Sequence, residues 1–257
     1  MDTISCGSTI AFATYLSDTG KAEYGLQWND PDRVIDLIHA IARRQGIGNV
    51  LAEGSLNLGK KLRVEDSVLH VKGLEIPNHD PRAFSGMTTV YTMASRGATH
   101  LEGDMYSVDM GADVRELGIT SGDRLENEGK GRIAARAQDF RSFCDSIIIC
   151  HFAIVPPRTI VELLNLAIGT SYHLEDILRI GARVVTMKRL FNLRCGLKPQ
   201  DERLPRLFLT PHAESVTDDF VPDVDLQLQD YYEYRNWDRD TGKPRDEALR
   251  ELEIDFK

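Results

Sequence analysis

Residues 30–45, DPDRVIDLIHAIARRQ, set the fold class. Asp30 can cap a helix, and Pro31 suits the first helical position, where a missing N–H costs nothing. Val34, Leu37, Ile38 and Ile41 then recur at i, i+3, i+4 and i+7, which predicts one apolar face. Gly46 and Gly48 follow, and glycine accepts the left-handed conformation found at helix ends. A short amphipathic helix draws most of its stability from packing, so this one belongs to a larger core.

The same periodicity returns at Arg132–Phe143, at Ile160–Leu164, from Leu174 to Phe191, and in two short segments, Leu226–Tyr234 and Glu247–Leu252. Residues 84–94 form a further candidate helix. Leu69 and Val71 suggest a short strand, with His70 and Lys72 facing outward. PNHDPR at 77–82 is turn chemistry, with Pro81 biasing Asp80 away from helix. Residues 103–131 are glycine-rich and polar, a loop region with a helical turn near Val114–Leu117. Few stretches alternate with period two, so the expected fold is mainly α and multihelical. Two helical subdomains are expected, 1–70 and 71–257, the second carrying the histidine and cysteine motifs.

The chain has 257 residues, 42% hydrophobic and 28% charged, with 31 Lys+Arg against 40 Asp+Glu and a net charge of −9. That acidity argues against nucleic acid, whose binding rewards clustered Lys and Arg. No run approaches the roughly 18 apolar residues of a membrane span, and the first residues lack the basic and apolar regions of a signal peptide. A cytoplasmic protein with reduced thiols is the expectation. Cys6, Cys144, Cys150 and Cys195 form no CxxC pair. Gly46-Ile47-Gly48 lacks the third glycine of a dinucleotide fingerprint, and Thr241-Gly242-Lys243 lacks the Ser or Thr of a phosphate loop. Both read as helix punctuation, and none of the seven histidines falls in an HExxH or HxH pair.

Five segments, in order, carry a resemblance. Asp2-Thr3-Ile4-Ser5-Cys6-Gly7 is similar to the end of a DxxGLD motif and the DTIS run that overlaps it. Lys72-Gly73-Leu74-Glu75-Ile76-Pro77 with Asp80-Pro81-Arg82 resembles KGxExPxYDPR, and Arg96-Gly97-Ala98-Thr99-His100-Leu101 resembles RGACHL. Asp145-Ser146-Ile147-Ile148-Ile149-Cys150 looks like a second pterin motif, with IIC for the usual GLC. Tyr231-Tyr232, Arg235-Asn236-Trp237-Asp238 and Thr241-Gly242-Lys243-Pro244 resemble YYxxRGWDxxTGxP, with Asn236 for glycine. Together they resemble the C-terminal helical part of the tungsten-dependent aldehyde:ferredoxin oxidoreductases.

The resemblance implies a tungstopterin, in which two pterins hold the tungsten, and a [4Fe–4S] cluster, both expected only in a complete enzyme. Cys150 would be the fourth cluster ligand, since such clusters take four thiolates. Asp2 and Asp145 would accept hydrogen bonds from pterin N–H groups; a helix cap is the alternative for Asp145. Ile149 and His151 flank the ligand and would meet the pterin through backbone groups. Arg96 would meet a cofactor phosphate or a pterin acceptor, the alternative being a surface arginine beside a turn. Glu102 occupies the place of an expected cofactor contact. His100 would exchange a proton during oxidation of an aldehyde to a carboxylic acid, the alternative being a histidine packed behind a glycine turn. Asp80 and Arg82 read as a structural ion pair. Electrons would leave through the cluster to ferredoxin.

The family also has a β-rich N-terminal domain and a Cys-x2-Cys-x3-Cys cluster motif that this sequence does not contain. Met1 stands where the leucine of DxxGLD is expected, as though the sequence started inside the motif. The rival expectation is therefore a non-catalytic fragment, or a split-gene subunit that needs a separate N-terminal chain. Relatives that reduce aromatic acyl thioesters widen the possible chemistry.

Overall fold

The computed structural model describes residues 1–150, 152–214 and 216–255. Among them the protein is mainly α, with eleven α-helices and one two-stranded antiparallel sheet. The first four helices are α1 (Thr3–Asp18), α2 (Pro31–Arg43), α3 (Ile47–Leu51) and α4 (Gly54–Leu62). They enclose an apolar cluster of Ile10, Phe12, Leu16, Leu37, Ile41, Leu51, Leu58 and Val68. As the sequence predicts, the Asp30 carboxylate accepts from the Arg33 N–H at 3.0 Å. The apolar stripe of α2 is only half used, however. Leu37 and Ile41 are buried, but Val34 is 39% and Ile38 37% exposed. The helix also ends differently: Arg44, not glycine, takes the left-handed cap. Gly48 instead lies where an added Cβ would fall 2.2 Å from the Ala40 carbonyl carbon.

Next comes a hairpin of β1 (His70–Val71) and β2 (Leu74–Glu75), with Val71 opposite Leu74. Lys72 and Gly73 both take positive φ, +53° and +86°, as a tight two-residue hairpin turn requires. That turn directs the Lys72 amine inward, correcting the outward placement expected from alternation. The buried Glu75 carboxylate accepts from the Ser55 N–H and hydroxyl, both at 2.8 Å, and so ties the hairpin to α4.

The main core starts at Val71 and runs through α5 (Met87–Met93), α7 (Lys130–Ser146), α8 (Pro157–Ile168) and α9 (Leu174–Arg194). Every residue of α5 is buried, as befits a helix surrounded on all sides. A short helix, α6 (Met105–Asp109), interrupts the expected loop region. Its Asp109 accepts from the Gly86 N–H and pairs with the buried Lys130 ammonium at 2.6 Å. Helices α7 and α9 cross at Gly181, where a Cβ would sit 1.8 Å from the Asp139 carbonyl oxygen.

The closing segment contributes α10 (Val224–Arg235) and α11 (Asp246–Glu251). The motif residues here are structural. Arg235 pairs with Asp139 and donates to the Ala135 carbonyl, while Arg189 of α9 meets Glu202, the Tyr232 hydroxyl and the Gly242 carbonyl. Tyr231, Tyr232 and Trp237 pack edge-on around these cations. Thr241-Gly242 is a turn, as read. Among the described residues no helix is long and apolar enough to cross a membrane.

Candidate functional site

The loop from Ala94 to Asp104 joins α5 to α6 and carries Arg96, His100 and Glu102. It is fixed from three sides. The Lys72 amine donates to the carbonyls of Thr92 (2.7 Å) and Ala94 (2.9 Å). The Glu102 carboxylate accepts from the Ser95 N–H (2.8 Å) and hydroxyl (3.0 Å). Asn192 of α9 donates its amide to the Ser95 carbonyl at 2.6 Å. Gly97 closes against the hairpin with φ +109°, and a Cβ there would fall 2.6 Å from the Val71 carbonyl oxygen. Ala98 donates its N–H to that same oxygen at 3.3 Å. Burial lowers the Lys72 amine to about 8; Glu202 and Glu102 pull the other way, and Arg189 adds to the lowering.

Each end of this loop meets another motif. At one end the exposed Arg96 donates to Thr99 at 3.0 Å and stands close enough to Asp2 to act on its carboxyl. Asp2 caps α1 by accepting from the Ser5 N–H at 2.7 Å. That bond holds its carboxyl below the usual range, with the Arg96 charge adding to it. At the other end the Asp104 N–H bonds to the His100 carbonyl at 3.0 Å. The Asp104 side chain is buried beside Arg141 and Asp145. Burial pushes its carboxyl up to about 6, against the pull of Arg141 and with the push of Asp145. Asp145 lies in the last turn of α7, not at a helix start, with Arg141 at 3.3 Å.

After α7 the chain turns outward. Ile148 takes φ +59°, and the Ile149 N–H bonds to the Cys144 carbonyl at 3.0 Å. Cys150 is a free, exposed thiol. Around it Ile148, Phe152 and Ile154 are 91%, 84% and 96% exposed. His151 lies outside the described residues.

Sequence reasoning missed three contributors. His79, read as part of a turn, has its ring centroid 5.1 Å from that of His100 and 4.2 Å from that of Tyr106. Asp104 and Lys72 were the others. The PNHDPR run held a signal, since its histidine stands where the resembled motif has tyrosine. Asp80 and Arg82 form the expected structural pair at 2.7 Å.

The donor chemistry fits the implied groups in part. Asp2 and Asp145 are exposed carboxylates able to accept from a ring edge, Arg96 is an exposed donor fork, and Cys150 offers an open thiol. Glu102 differs, because both its oxygens are bonded to Ser95 within the loop. Behind the loop is a cavity of about 20 Å³, room for about one water, lined by Lys72, Ser95, Glu102, Gln138, Arg189 and Asn192. An open recess of about 470 Å³ begins at Arg96 and runs past Lys188, Asn192 and Phe191.

A family profile described as "Aldehyde ferredoxin oxidoreductase, domains 2 & 3" matches residues 1–254. The chain is 32% identical, over 265 residues, to the tungsten-containing aldehyde ferredoxin oxidoreductase of Pyrococcus furiosus, covering 99% of this chain and 43% of that protein. The protein of the same description from Pyrococcus horikoshii is 30% identical over 273 residues, with the same coverage. A further Pyrococcus furiosus protein, the aliphatic sulfonate oxidoreductase, WOR-like subunit, is 26% identical over 272 residues, covering 99% of this chain and 40% of its own length. The active-site complex of benzoyl coenzyme A reductase with 1,5-dienoyl-CoA superposes with a TM-score of 0.69 at 19% identity, over 98% of this chain and 44% of that one. The chain thus spans less than half the length of these relatives.

Proposed function

The chain belongs to the aldehyde ferredoxin oxidoreductase family, and on that premise we propose that it supplies one side of a tungstopterin and iron–sulfur site that oxidises an aldehyde to a carboxylic acid. The observation that supports this reading most is the single loop, 94–104, that runs from the Asp2–Arg96 end through His100 to Asp104, Arg141 and Asp145, just before Cys150. Motifs far apart in sequence therefore meet at the two ends of one loop.

When bound, the tungsten–pterin group would supply the two-electron oxidation, and the cluster a route for the electrons to ferredoxin. Aldehyde and water yield acid, two protons and two electrons. The chain's residues have narrower tasks. Asp2 and Asp145 accept hydrogen bonds from the pterin edge, and Arg96 meets a phosphate or a pterin acceptor. Ile149 would contribute a backbone contact, and Cys150 would give a thiolate to the cluster. His100 exchanges a proton with the reacting group, since imidazole titrates near neutrality. Glu102 acts through Ser95 to hold the loop.

The exposed apolar residues around Cys150 favour a chain that works with the remaining part of the family's length, in the same polypeptide or as a separate N-terminal chain. Alone it is inactive. The test is aldehyde-dependent reduction of a viologen dye under anaerobic conditions, with the chain joined to that remaining part. Activity is expected, and His100→Asn should lower it about a hundredfold with metal content unchanged. Full metal content without aldehyde oxidation would overturn the assigned reaction.

A further inference from the structure

A second imidazole stands beside His100. The backbone of His79 is held in the turn before α5: its N–H bonds to the Pro77 carbonyl at 2.8 Å, and the Tyr91 hydroxyl donates to the His79 carbonyl at 3.0 Å. The His79 ring stacks on Tyr106 of α6, with centroids 4.2 Å apart and planes 25° apart. The His100 ring lies 5.1 Å away, tilted by 39°. Phe84 meets the edge of His79 at 6.4 Å. Inside this aromatic nest the Nδ1 of His79 is buried without a hydrogen-bond partner. Among the described residues the titratable groups that meet it are Tyr91 from α5, Tyr106 from α6 and His100 from the loop. Its own turn adds Asp80 and Arg82, which are paired with each other at 2.7 Å.

We propose that His79 and His100 act as one proton-sharing pair, which makes His79 a working part of the candidate site. A proton on either ring repels a second proton on the other, and two unit charges about 5 Å apart at a partly buried site separate successive protonations by about one unit or more. Burial lowers the affinity of His79 for a proton, which further disfavours the state with both rings charged. The stack on Tyr106 keeps the rings in register. The use of that proton rests on the function proposed above: the pair takes one of the two protons released as aldehyde and water become acid, then returns it to solvent. The pairing itself is a property of this chain's own residues.

The test is a histidine-resolved NMR titration of the chain from about pH 5 to about pH 9, as wild type, His79→Tyr, His79→Gln and His100→Gln. His39 and His212 serve as internal references for folding. The expected result is two linked steps for His79 and His100 in the wild type. In each variant the remaining imidazole should titrate as a single step, and the ring that gives the lower wild-type step should rise by about one unit when its neighbour is replaced. His79→Gln is read if the tyrosine variant disturbs the reference signals. Both wild-type midpoints lying within about 0.3 units of those in the single variants would overturn the proposal. A coupled titration in a chain that never assembles a metal centre would leave the pair standing and remove the function. Independent titration in an active assembly would do the reverse.

Discussion

Replacing Lys72 with methionine should reverse the order of stability of wild type and variant across the alkaline range. The amine ties down the carbonyls of Thr92 and Ala94, and losing both bonds costs the variant about 2 kcal/mol at any pH. Burial works against the charged form, lowering the group from 10.5 to about 8. The folded value lies below the unfolded one, so between about 8 and 10.5 the unfolded chain binds more protons and wild-type stability rises with pH. The full penalty for holding the charge at neutral pH is about 3 kcal/mol, of which about 2.5 kcal/mol is recovered between pH 7 and pH 10. The wild type should therefore be the more stable near pH 10, and the variant more stable by about 1 kcal/mol near pH 7. Urea unfolding of both proteins at matched pH reads the difference, and other titrating groups cancel in the comparison. A difference that stays flat to within about 0.5 kcal/mol would refute the buried, inward-facing amine.

Three further outcomes follow from the packing. Gly181→Ala forces a methyl into the Asp139 carbonyl and should cost about 3 kcal/mol in chemical denaturation, because α7 and α9 must separate. Glu202→Ala leaves the buried Arg189 without its counter-charge and should cost about 3–5 kcal/mol in the same assay, whereas an exposed pair such as Arg44–Glu53 should be worth under about 1 kcal/mol. We also propose two cooperative units meeting near residue 70. Native-state hydrogen exchange should then show the amides of Leu16 and Leu37 opening at a different free energy from those of Tyr91 and Phe143, and a single common opening would refute the boundary.

Local chemistry made α2 legible, since Asp30 and Pro31 act within one turn of chain. Its burial was less legible, because Val34 and Ile38 share the predicted face yet stay partly exposed where only Leu37 and Ile41 meet the cluster. Alternation misplaced Lys72, because the positive φ values of Lys72 and Gly73 break the strand period at that residue. Family motifs named His100, Asp145 and Cys150, but a motif assigns roles and not neighbours. The meeting of His79, His100 and Tyr106 depends on how a turn, a loop and a short helix fold together. The same holds for Glu102, whose partner Ser95 lies seven residues back across the loop.

The most direct measurement is metal content with a visible spectrum, on wild type and Cys150→Ser purified anaerobically together with the rest of the family's length. The expected result is about one tungsten and about four iron per chain with a brown cluster absorbance in the wild type, and loss of iron in the variant. Wild-type iron and absorbance in Cys150→Ser, or a metal-free wild-type assembly, would contradict the account.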